Sequence, residues 1–167
     1  MRTTIRRAIS AFAIAAAGTG TLAVAAPAHA QFRQVIANDM SRCRGGEPAV
    51  RVNIAGVANS RGTVRVQLYR GIASDWLESG RWLYRIEAPA RQGTMSFCLP
   101  APQPGPYGVA VRHDVNNNGS TDLRTDGGAM SNNPSINIFN LGKPSYRKTR
   151  FDIGNTVTTI NISMRYM

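Results

Sequence analysis

Six oxygen-bearing side chains crowd one short stretch: Asp114, Asn116, Asn118, Ser120, Asp122 and Asp126, with Gly119 among them. Donors at alternate positions followed by a glycine match the opening of a calcium loop, where the backbone curls round a hard cation and glycine takes the sharp turn. Asp114, Asn116 and Asn118 fill the first three ligand positions, Ser120 offers its carbonyl, Asp122 stands where a direct or water-mediated ligand comes, and Asp126 can assist. The bidentate glutamate expected at the twelfth position is replaced by Thr125. A calcium ion held here would therefore be held weakly, with a Kd of about 10⁻⁴ to 10⁻³ M. The competing reading needs no ion: the Asn118-Gly119 pair adopts positive φ in a β connection while Asp and Asn side chains bond nearby amides. Both readings predict an ordered loop.

Catalysis finds little support in the residues. His113 and Asp114 adjoin, but neighbours on a strand point to opposite faces and cannot share a proton. No serine lies in a nucleophile elbow, and no phosphate-cradling loop follows a strand. The sequence therefore reads as that of a non-enzyme, with a hydrolase as the weaker alternative, and His113 as a strand-end residue bonded to loop backbone.

The segments that carry this loop have a period of two. Val50, Val52 and Ile54 alternate with Arg51 and Asn53; Val64, Val66 and Leu68 with Arg65 and Gln67; Trp82, Tyr84 and Ile86 with Leu83 and Arg85. Met95, Phe97 and Leu99 follow, then Tyr107, Val109 and Val111 after a proline-rich bend, then Phe151 and Ile153. A closing strand spans Val157 to Met164, with an irregularity near Thr158. About seven short half-buried strands separated by turns predict an all-β antiparallel sandwich. One helical turn is expected around Trp76 and Leu77, and no other segment reads as helical. Trp76 is expected to plug the sandwich end, because an indole gains much by burial. Residues 123–145 break the rhythm and predict a long excursion.

Residues 1–30 carry the grammar of a secretory signal peptide: Arg2, Arg6 and Arg7, an apolar run from Ile9 to Ala26, and Ala28-His29-Ala30 at the cleavage site. Residues 31–48 then form a leader and residues 49–167 the sandwich domain, in the periplasm or outside the cell, with no later span. Cys43 and Cys98 both lie in the exported part, where a disulfide can form. Since Met95, Phe97 and Leu99 share the core face, Cys98 faces the other way, and the bridge would pin the leader across the outside of a sheet. The full chain carries a formal net charge of +11, and residues 31–167 hold 17 basic and 9 acidic residues, a net +8. Such a balance favours anionic partners. No dense basic block points to nucleic acid, and the strand arginines, among them Arg65, Arg85 and Arg112, read as solvent-facing. Arg147, Lys148 and Arg150, together with the scattered strand arginines, are the residues suited to dock on an anionic envelope polymer.

Taken in order, several motifs resemble one family. They are the signal peptide, the Gly62–Leu68 strand, the proline-rich turn into Tyr107–His113, the Asp114 to Asp122 loop, Ser131-Asn132-Asn133-Pro134, and Gly142-Lys143-Pro144-Ser145-Tyr146 followed by Phe151. Together, over about residues 49–167, they are similar to the secreted bacterial family catalogued as domain of unknown function 2141. The resemblance implies a small exported β-sandwich of immunoglobulin-like or prealbumin-like type, and it brings no established activity. Two departures stand out. Arg147, Lys148 and Arg150 occupy a segment that is usually acidic in the family, and Arg124-Thr125-Asp126-Gly127-Gly128 replaces its usual Pro-Lys-Glu step.

Overall fold

The computed structural model describes residues 32–136 and 142–166; the expected signal peptide lies outside them. Among the described residues ten strands form two sheets. The strands are β1 (Gln34–Val35), β2 (Ala49–Val57), β3 (Thr63–Arg70), β4 (Trp82–Pro89), β5 (Gly93–Pro100), β6 (Gly105–Asp114), β7 (Gly127–Met130), β8 (Phe151–Ile153), β9 (Val157–Ser163) and β10 (Arg165–Tyr166). The large sheet runs β1-β4-β3-β6-β7-β10 with β8 also on β6, and the small sheet runs β5-β2-β9. This is the sandwich that the two-residue period predicts, though not antiparallel throughout, since β1 runs parallel to β4 and β9 parallel to β2.

The inner faces meet in one apolar core. Val50, Val52, Ile54, Phe97, Leu99 and Ile162 from the small sheet oppose Val64, Val66, Leu68, Ile86, Val109 and Val111 from the large one, all buried. Each such side chain contributes about 1.5–3 kcal/mol when fully removed from water. Alternation fails at one place. The β3–β4 pairing passes from Leu68 opposite Tyr84 to Tyr69 opposite Trp82, so Leu83 is an extra residue in a bulge. Leu83 therefore joins the core, while Trp82 turns to the outer face to pack with Tyr69, Trp76, Ala110 and Met130.

Trp76 sits on the outer face of the large sheet rather than over the end of the sandwich. Its ring occupies the space that a side chain at Gly108 would need, since a Cβ there would lie 2.6 Å from Cζ3. It meets Tyr69 edge to face at 5.5 Å, and its Nε1 donates to the Pro144 carbonyl at 2.8 Å. The chain before it makes a single turn, closed by the Trp76 N–H on the Ile72 carbonyl at 3.1 Å, and Leu77 breaks it with φ 57°.

Two short helices form where none was expected: a 3₁₀ helix at Met40–Arg44 and α1 at Tyr146–Thr149. The first is started by Asp39, which accepts from the Ser41 N–H at 2.9 Å. The second is held by tertiary contact, because Ser131 Oγ donates to the Thr149 carbonyl at 2.5 Å and accepts from the Val109 N–H at 3.0 Å. The described parts of 123–145 are likewise more structured than a bare excursion. β7 lies within them, pairing with β6 from Ala110 to His113. Asn133 then reaches the other sheet, accepting from the Ser163 N–H at 2.8 Å and donating to the Asn161 carbonyl at 3.0 Å. The closing strand runs unbroken through Thr158, and its irregularity falls at Met164, between β9 and β10.

Cys43 and Cys98 are bonded, with Cα atoms 5.9 Å apart, on the outer face of the small sheet. Cys43, Cys98 and Ala49 form a small buried cluster of their own, joined by Met40 and Val157. The leader is also sewn down by polar bonds. Asn38 accepts from the Cys98 N–H at 3.1 Å and donates to the Ser96 carbonyl at 3.0 Å, and Arg51 donates to the Cys43 carbonyl at 2.9 Å. Among the described residues no helix is long and apolar enough to cross a membrane.

Candidate functional site

β6 delivers His113 to the interior and Asp114 to the outside. His113 pairs with Val64 and is fully buried. Its Nε2 lies 2.7 Å from the Arg61 carbonyl, which can only accept, so Nε2 carries the proton; Nδ1 lies 2.7 Å from the Tyr166 hydroxyl. That hydroxyl also accepts from the Ala58 N–H at 3.0 Å. The imidazole thus holds a loop backbone, as expected, and clasps β10 as well. The close turn of the chain before β3 is part of the same joint. Gly62 has φ 71°, and a Cβ on it would come within 1.9 Å of the Asp114 carbonyl.

From Asp114 onward the six oxygen-bearing residues fall into three local groups. Asp114 Oδ2 accepts from the Gly119 N–H at 2.9 Å and from Arg112 Nη2 at 3.0 Å. Asn116 and Asn118 each donate a carboxamide N–H to Asp122 Oδ2, at 2.9 and 2.7 Å, while their oxygens accept from the Asn118 and Ser120 backbone N–H groups. These bonds hold the Asp122 carboxyl below the usual carboxylate range, that from Asn116 most strongly and that from Asn118 next. Asp126 closes the loop by accepting from the Val115 N–H at 3.1 Å and the Asp122 N–H at 3.0 Å.

A calcium ion would compete for carboxylate and carboxamide oxygens most of which already accept N–H groups of the loop. Among the described residues no three His, Cys, Asp or Glu side chains could hold a metal ion. The cation of this loop is the protein's own. Arg112 donates to Asp114 at 3.0 Å, to the Gly119 carbonyl at 3.0 Å and to Thr121 Oγ1 at 3.2 Å. One atom fits a metal ligand: Asp114 Oδ1 is buried and has no hydrogen-bond partner.

Arg112 belongs to a cluster that sequence reasoning placed in solvent. It stands directly opposite Arg65 across β3 and β6, and Arg85 projects from β4 on the same outer face. The three side chains are only 15, 22 and 23% exposed respectively. Two carboxylates serve them: Glu87 lies 3.0 Å from Arg65 and 3.6 Å from Arg85, and Asp114 serves Arg112. Burial first, and then the neighbouring Arg65 charge, push the Arg85 and Arg112 guanidinium groups down from their ordinary range. Like charges directly opposite one another on a sheet are destabilising. The signal was present in the sequence as arginines at outward strand positions, but only the pairing register brings them together.

Above Arg65 and Arg112 opens a cavity of about 810 Å³, bounded by β3, β6, β7, the loop after β6 and the chain near Lys143. Arg147, Lys148 and Arg150 lie elsewhere. They are exposed on and just after α1, beside β8, which pairs with the first residues of β6, so the strand separates them from Asp114. Phe151 pairs with Tyr107, seven residues before Asp114, which makes that separation roughly 23 Å along the strand.

The model of a bacterial family described as an uncharacterized protein conserved in bacteria, DUF2141, matches residues 52–161. No curated protein and no solved structure shows significant similarity to the chain.

Proposed function

The chain belongs to the DUF2141 family, whose activity is uncharacterized, and from its geometry we propose that it is an exported, non-catalytic binding module for anionic envelope polymers. The observation that carries this reading is the half-buried Arg65–Arg112 pair with Arg85 beside it, three guanidinium groups served by two carboxylates. Guanidinium forks suit carboxylate and phosphate oxygens. An anion laid over them relieves the mutual repulsion that an empty face must carry. The disulfide suits an oxidising compartment, and His113, the one histidine among the described residues, has both ring nitrogens engaged and no exposure.

The test is retention on an immobilised acidic polysaccharide such as polygalacturonate. Binding at about 50 mM salt should collapse by 500 mM, because exposed charges are screened, and Arg65→Met should elute earlier than Arg147→Ala. Salt-insensitive retention, or a larger effect at Arg147, would overturn the assignment.

A second reading, weak calcium binding at Asp114, Asn116, Asn118, Ser120, Asp122 and Asp126, rests on the unpartnered Asp114 Oδ1. It requires both carboxamides to turn over and Arg112 to withdraw. Millimolar calcium should then raise the melting temperature of the wild type and not of Asp114→Ala; equal melting temperatures with and without calcium remove this role.

A further inference from the structure

The cavity over the arginines is basic in its floor and apolar in its walls. Arg65, Arg112, Lys143 and Arg165 line it against one acidic residue, Asp126, a formal net charge of +3. Asp126 offsets part of that charge, and Glu87 and Asp114, outside the lining, pair with Arg65 and Arg112 at 3.0 Å each, so the excess of positive charge rests on Lys143 and Arg165 as much as on the strand arginines. Leu77, Ala110, Met130, Leu123 and Met164 supply the apolar surface, and Leu123 is 52% exposed. An anionic group alone would leave these walls uncovered, whereas one that carries a hydrocarbon would bury them.

Room for a ligand comes from one residue. Gly128 faces Arg112 in the β6–β7 register, and a Cβ built on it meets nothing within 4 Å. Its neighbour Gly127 points the other way, where a Cβ would strike the Tyr166 ring at 2.5 Å. Position 127 is therefore small because the packing demands it, while position 128 has open space above it. The volume lies within the range of about 300–1,000 Å³ that holds small ligands.

We infer that this cavity binds a single-chain amphiphile with a carboxylate head, the head on Arg65 and Arg112 and the hydrocarbon against Leu77, Ala110 and Met130. The inference rests on the anion-binding reading of the same arginines and narrows it to a ligand class. Its test is calorimetric titration of the protein with decanoate, acetate and decanol, which present head and tail together, head alone and tail alone. Decanoate should saturate at one per chain and bind at least tenfold more tightly than either fragment. Two variants reach the cavity independently: Gly128→Leu fills it without altering charge, and Arg65→Met removes a charge while keeping the stem. Both should lose at least tenfold in decanoate affinity while melting near the wild-type temperature. Decanoate no tighter than acetate, or undiminished in a folded Gly128→Leu, overturns the inference. Retention on acidic polymer without decanoate binding defeats this ligand class alone, whereas loss of both defeats the parent reading as well. Anionic vesicles that capture the protein while free decanoate does not would assign the site to a membrane surface instead, against the inference.

Discussion

Replacing both cysteines, as Cys43→Ala with Cys98→Ala, tests how much of the fold depends on the bridge over the small sheet. The bond links residues 55 positions apart, and closing a loop of that length removes about 4 kcal/mol of denatured-state freedom in the chain-entropy treatment. Melting entropy is about 2.1 cal/mol/K per residue. Applied to the 130 residues at positions 32–136 and 142–166, that makes about 0.27 kcal/mol/K, and the 4 kcal/mol become a fall of about 15 °C in melting temperature. Loss of buried sulfur at Cys98, which is fully enclosed, adds to the fall. The assay is thermal unfolding by circular dichroism of the wild type, oxidised and reduced, beside the double variant. The reduced wild type and the variant should fall together. A drop under about 5 °C would refute the reasoning, and would mean that Asn38 and Arg51 hold the leader without the covalent tie.

Gly62→Ala places a Cβ at a φ of 71° and within 1.9 Å of the Asp114 carbonyl, so urea unfolding should show a loss of about 3 kcal/mol or more. Gly108→Ala lifts the Trp76 ring, whose Cζ3 would lie 2.6 Å from the new carbon. It should cost about 1–3 kcal/mol and shift tryptophan emission to the red. Asp122 is ionised more readily in the folded loop than its ordinary value of 3.8, so its contribution is present above that value and disappears as pH falls below it. Amide exchange at Asn118 and Ser120 should accelerate across that acid range in the wild type and show no such step in Asp122→Asn.

Strand positions were legible because one face of each strand is buried and the period is two. The same logic placed Cys98 on the face away from Phe97, where the bridge is found. It failed at Trp82 and Leu83, since a bulge exchanges faces without leaving a mark in composition. Nothing local marks β7, because Gly127, Gly128, Ala129 and Met130 have little intrinsic preference for a strand; the open edge of β6 imposes it. α1 was missed because four residues cannot signal a helix, and this one is secured from Ser131. At the candidate site the turn chemistry of Asn118-Gly119 was readable, whereas the partnership of Arg112 with Arg65 required knowing which strands are neighbours. No local pattern could show that the loop's charge is met by a side chain two residues before it.

The parallel pairing of β2 with β9 governs when this protein can finish folding. Ile160 lies opposite Val52 and 108 positions downstream of it, and the match continues from Ala49 to Ala55. A nascent chain can lay β5 against β2 early, but the other flank stays bare until β9 emerges. Such distant contacts slow folding, and a bare flank invites pairing with foreign strands. A polypeptide cut short before Val157 would keep that flank permanently open, so β9 acts as a seal against self-association.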